Sequence, residues 1–65
     1  MDDVETLKAE IKKISNAALK AKMDLHDLSE DLPLGWEKIP EVARIAYESY
    51  QALEARREAL KALAP

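Results

Sequence analysis

The only histidine, His26, lies in the run Met23-Asp24-Leu25-His26-Asp27-Leu28-Ser29-Glu30-Asp31. Residues four apart share one side of a helix, so His26 and Glu30 can present an imidazole and a carboxylate together. That spacing supplies two ligands to a divalent cation such as iron, zinc or nickel. Two ligands make a weak site, and a second chain would have to complete it. The plainer reading is a solvated His–Glu pair on a surface helix, worth about 0.2–0.5 kcal/mol.

The same stretch is one-sided in charge. Asp24, Asp27, Glu30 and Asp31 follow one another with no Lys or Arg between Lys22 and Lys38, and Glu37 and Glu41 lie just beyond. Carboxylates at a helix C-terminus oppose the macrodipole, at about 0.3–1 kcal/mol each when exposed. Asp31 is placed to cap the turn before Trp36. The remaining acids form an anionic patch suited to a basic protein surface or a hard cation. Asp24, His26, Asp27, Glu30 and Asp31 are therefore the candidate polar contacts for a partner, with Trp36 as an aromatic anchor. Tyr47 lies off the apolar seam as a further contact residue. Arg56 and Arg57 can lay their stems over apolar surface and pair with Glu10 or with a partner chain.

Other chemistries are excluded by what is missing. The chain has no Cys, which removes disulfides, thiolate metal sites and thiol catalysis together. It contains no Gly-rich phosphate loop, no GxSxG and no HExxH. With 65 residues it builds one small domain without room for an enclosed pocket, and we expect no catalysis. Thirteen acids against ten bases, with lysines interleaved among the acids, give no basic stripe for nucleic acid. No apolar run approaches the ~20 residues of a membrane span, and the acidic start does not resemble a signal peptide.

The elements that position these residues follow from periodicity. Val4, Leu7, Ile11, Ile14, Ala18, Ala21, Leu25, Leu28 and Leu32 alternate gaps of three and four, the pattern of a helix with one apolar seam. Asp2 or Asp3 is the expected N-cap. The spacing predicts a first helix over about 3–29, a loop over about 30–39 and a second helix over about 40–63. Pro33 and Gly35 make the break, and Pro40 suits the first helical position. Trp36 is expected to fold over the end of the helix pair. A short loop makes the helices antiparallel neighbours, so residues 1–65 read as a single all-α hairpin. Its core comprises Leu7, Ile11, Ile14, Ala18, Leu25, Leu28, Val42, Tyr50, Leu53 and Leu60. Pairing across the turn sets Leu28 by Val42, Leu25 by Ala46, Ala18 and Ala21 by Tyr50 and Leu53, Ile11 by Leu60 and Leu7 by Leu63. A second stripe of Leu19, Met23, Ile45 and Ala52 widens the apolar face, which predicts a homodimer packed as a four-helix bundle.

The segment Ala21-Lys22-Met23-Asp24-Leu25-His26-Asp27-Leu28-Ser29-Glu30-Asp31-Leu32-Pro33 continues through Gly35-Trp36-Glu37 and Ile39-Pro40-Glu41-Val42-Ala43. Neither periodicity nor loop chemistry demands that string. It resembles the small Rop-like family of bacterial nitrogen-fixation gene clusters, and Ala46-Tyr47-Glu48 and Leu53 extend the likeness over nearly the whole chain. The resemblance implies a helical hairpin that dimerises into a four-helix bundle, in a diazotroph's cytoplasm. It implies a process and no chemistry. RNA binding does not follow from an architectural name. The expected function is a non-enzymatic accessory protein that binds a protein of nitrogenase assembly or protection through the acidic hairpin tip. The alternative is a small metal-binding protein using His26 and Glu30, with no other cofactor expected.

Overall fold

The computed structural model describes residues 3–63. Helix α1 spans Asp3–Asp31, a 3₁₀ turn covers Trp36–Lys38, and helix α2 spans Ile39–Leu63. The two helices pack side by side as a hairpin 48 Å long and about 15 Å across. Asp3 and Glu5 in the first turn of α1, and Glu41 and Lys61 at the two ends of α2, all complement the helix dipoles. The C-terminal turn of α1 carries no base, so the acidic run opposes its dipole as expected.

Element boundaries shift by one or two residues from the sequence expectation. Pro33 restricts only the residue before it, so α1 continues past Ser29 to Asp31. The Ser29 hydroxyl donates to the His26 carbonyl over 2.7 Å within that last stretch. Helix α2 begins at Ile39, which places Pro40 second, where the missing N–H still has no intrahelical acceptor to lose. Of the two expected N-caps, Asp3 is the first residue of the helix and Asp2 lies outside the described residues.

The helices meet along a line of small side chains. Ala18 is 1% exposed, and Ala21, Ala46 and Leu53 are also buried. Leu7, Ile11, Ile14, Leu28, Val42 and Leu60 are half-buried along the same seam. Two expected core residues lie differently: Leu25 is 37% exposed and Tyr50 43% exposed. A two-helix layer leaves both of its faces open, so the single opposing helix covers these larger side chains only in part. Ser49, half-buried, takes the seam position beside which Tyr50 was expected. Leu32 also drops out of the seam, because the helix has ended, and Leu63 is about half exposed at the open end. Ala18, Tyr50 and Leu53 border one shallow groove as paired in the sequence, whereas Ala21 lines a small hollow with Val42 and Ile45 on the other flank.

The loop closes through backbone bonds. The Leu32 N–H donates to the Leu28 carbonyl, Leu34 to Asp31, Trp36 to Pro33 and Lys38 to Gly35, over 2.9–3.3 Å. Asp31 thus serves the turn through its carbonyl, and no side chain caps the 3₁₀ turn, which Gly35 precedes. Gly35 has φ 78°, in the left-handed region. A Cβ placed there would stand 3.3 Å from Leu28 Cδ1, so the chain passes tightly over the end of α1. Trp36, expected to fold over the end of the helix pair, is instead 61% exposed. Gly35→Ala should combine a left-handed penalty with this close contact and destabilise the protein by about 1–2 kcal/mol, measured by urea unfolding.

Candidate functional site

The acidic residues gather where the loop turns. Helix α1 carries Asp24, His26, Asp27, Glu30 and Asp31 over its last two turns, and all five side chains are exposed. His26 stands between two carboxylates. Its Nδ1 lies 3.6 Å from Asp27 Oδ1 and its Nε2 lies 3.5 Å from Glu30 Oε2. The helix therefore brings His26 and Glu30 together as their spacing requires. Both distances are long for hydrogen bonds, and each contact gains ionic character when the imidazole is protonated. Among the described residues no three His, Cys, Asp or Glu side chains form a group able to hold a metal ion.

The acids are not equivalent. Asp24, grouped with the patch by sequence, accepts a 3.0 Å hydrogen bond from Lys20 Nζ one turn earlier. Glu41, across the loop, is clamped by Arg44, whose Nη2 donates to Oε2 over 2.8 Å and whose Nε donates to Oε1 over 3.2 Å. Arg44 also reaches Glu48 through Nη1 at 3.0 Å. The hydrogen bond and positive charge of Arg44 hold the Glu41 carboxyl below its ordinary value, and the two carboxylates raise the guanidinium above its own. Asp27 and Glu30 have only His26 opposite them, and Asp31 and Glu37 have no cationic partner among the described residues. The tip thus keeps four carboxylates that no Lys or Arg neutralises.

Apolar groups share that end of the rod. Trp36 and Leu34 are exposed by 61% and 76%, with Leu32 and Ile39 partly exposed beside them in sequence. Sequence reasoning singled out Trp36 and missed Leu34. The signal was present: a leucine between Pro33 and Gly35 in a tight turn has no seam to join. At the other end Arg56 Nε donates to Glu10 Oε1 over 3.2 Å, fastening α2 to α1 as the sequence suggested. Leu19, Tyr50 and Arg57 border the groove of about 380 Å³ along one flank, and Tyr47 is exposed.

A small helical-hairpin protein with an acidic, partly apolar closed end is the class that this geometry defines. The chain belongs to the Rop-like family, whose model matches residues 2–64. A UPF0437 protein of Azorhizobium caulinodans is 57% identical over 63 residues, covering 97% of this chain and 91% of the relative. A protein of Frankia alni described as a UPF0437 protein in the nifX-nifW intergenic region is 44% identical over 48 residues. That match covers 74% of this chain and 58% of the relative. A structural-genomics NMR structure superimposes with a TM-score of 0.89 at 48% identity, covering 95% of this chain and 87% of the other. The chain contains no helix, among the described residues, long and apolar enough to cross a membrane.

The Arg44 clamp has a checkable titration. Its folded-state effect is to lower the Glu41 pKa, so the pairing stabilises the start of α2 above the unfolded carboxylate value. The contribution disappears as pH falls through the lower folded value. In an NMR pH titration Glu41 should protonate below the ordinary carboxylate range, and Arg44→Met should return it to that range.

Proposed function

We propose that this protein is a non-enzymatic accessory protein of nitrogen fixation that docks a protein of nitrogenase assembly or protection through its hairpin tip. The observation that carries this reading is the set of exposed carboxylates of Asp27, Glu30 and Asp31 beside the exposed Trp36. Such an arrangement costs the helix end stability, and a binding role explains why it is kept there. The process is supported by the genomic setting named for the Frankia alni relative. Asp24 and His26 extend the polar contact surface along α1, with Asp24 held in place by Lys20.

The protein acts in this reading as a homodimer, two hairpins packed as a four-helix bundle in the cytoplasm. Support comes from the exposed apolar side chains along the rod, Leu19, Met23, Leu25, Ile45 and Tyr50, which a second hairpin would cover. A second reading, weak divalent-metal binding, rests on the approach of His26 and Glu30. It requires ligands from a second chain, since one chain supplies no group of three among the described residues.

Sedimentation equilibrium should give about twice the 7.3 kDa chain mass, and Tyr50→Glu plus Leu25→Glu should shift the protein toward monomer. For docking, tagged protein is used in anaerobic capture from nitrogen-fixing cells beside Asp27→Lys plus Glu30→Lys. Capture of a nitrogenase or cofactor-assembly component should be lost in the variant while its circular dichroism stays helical. Equal capture by the two proteins would show that the tip acids do not form the docking site. Anaerobic calorimetry with Fe(II) tests the second reading, which fails if His26→Ala binds as the parent does.

A further inference from the structure

We propose that the hairpin tip recognises a cationic amphipathic segment of its partner, with Leu34 as the apolar anchor and the unpaired tip carboxylates as its charged contacts. This inference rests on the docking reading above and adds the chemistry of the partner surface.

The first observation is exposure. Leu34 is the most exposed large apolar side chain described, at 76%, and Trp36, Leu32 and Ile39 also face solvent within the same eight-residue span. Four exposed large apolar side chains within one turn of chain at the closed end of the hairpin are the kind of exposure that an interaction surface shows. The second observation is that the span is held in shape. Three successive backbone bonds, from Leu34 to Asp31, from Trp36 to Pro33 and from Lys38 to Gly35, fix the turn, and Gly35 sits tightly on Leu28. A partner therefore meets a pre-ordered surface and need not pay the entropy of ordering it.

Charge selects the occupant. Residues 21–45, fewer than half of the chain, hold three bases and six acids, whereas the remaining residues hold seven of each. Two of those acids are neutralised locally, Asp24 by Lys20 and Glu41 by Arg44. Asp27, Glu30, Asp31 and Glu37 remain to act outward. A surface of this kind repels an anionic membrane and repels the tip of a second copy. It attracts a segment that places large apolar residues on one face and Lys or Arg along its borders.

Trp36 is the single tryptophan of the chain, so its emission reports on the tip alone. The full-length protein is titrated at low salt with a Leu/Lys amphipathic helical peptide free of tryptophan. A scrambled peptide of equal composition, a Leu/Glu amphipathic peptide and phosphatidylserine vesicles are the comparison probes. The expected result is a saturable blue shift with the Leu/Lys peptide only, weakened by added salt. Leu34→Ser should weaken binding about tenfold or more, and Leu63→Ser, at the opposite end, should leave it unchanged. Equal affinity in Leu34→Ser, equal titration by the scrambled or Leu/Glu peptide, or a blue shift with vesicles would overturn the proposal. The two readings separate in the capture experiment, because Leu34→Ser retains every tip carboxylate. Capture that survives Leu34→Ser but not Asp27→Lys plus Glu30→Lys overturns the apolar anchor and leaves acidic docking intact. Empty capture beside intact, Leu34-dependent peptide binding overturns the nitrogen-fixation partner and keeps the surface.

Discussion

The contact between helices of 29 and 25 residues centres on small side chains, Ala18, Ala21 and Ala46, which are buried where the helices meet. Leu53, 5% exposed, fills the space that these alanines leave, and its burial contributes about 1.5–3 kcal/mol. No other described residue is fully buried. The register of α2 against α1 depends on this line, and with it the position of the loop and the Glu10–Arg56 pairing near the open end. The same contact explains the exposed apolar flanks. A single hairpin has one inner face, so widening the apolar stripe beyond the seam necessarily leaves side chains such as Leu19 and Ile45 in water.

The closed end is built against the usual preferences of a helix terminus. Carboxylates face the negative end of the α1 dipole, and no base stands in its last turn. Lys20 and Arg44 answer only the outermost acids, Asp24 and Glu41, and leave the centre of the patch uncompensated. Leu34 and Trp36 break a second preference by meeting solvent. Local rules are broken at functional sites more often than elsewhere, and here two are broken within the same dozen residues. The chain shares this pattern with its relatives in the Rop-like family, one of which is described by its place in a nifX-nifW intergenic region.

Much of the fold was legible in sequence because the threes and fours of the seam leave a helix little choice, and Pro33 with Gly35 leaves the chain one place to turn. Leu7, Ile11, Ile14, Leu28, Val42 and Leu60 lie where that period puts them. Periodicity could not decide between Ser49 and Tyr50, since each completes a three–four alternation. Nor could it say that Leu25 would stay 37% exposed, because the angle between two helices is not written in either one. At the site, the closeness of His26 to Glu30 followed from helical geometry alone. The salt links of Asp24 to Lys20 and of Glu41 to Arg44 are also local in spacing, yet several partners were in reach and the choice among them belongs to side-chain packing.

Sequence by itself determined the hairpin, its seam, its turning point and the concentration of negative charge beside that turn. Each is set by interactions within a few residues: helical periodicity, the restriction proline imposes on its neighbour, and the freedom of glycine at positive φ. Only the tertiary structure decided which apolar residues the seam would cover and what the turn would present. Trp36 and Leu34 face solvent while Gly35 lies against Leu28 at the end of α1, an arrangement set by where the loop passes over the helix pair.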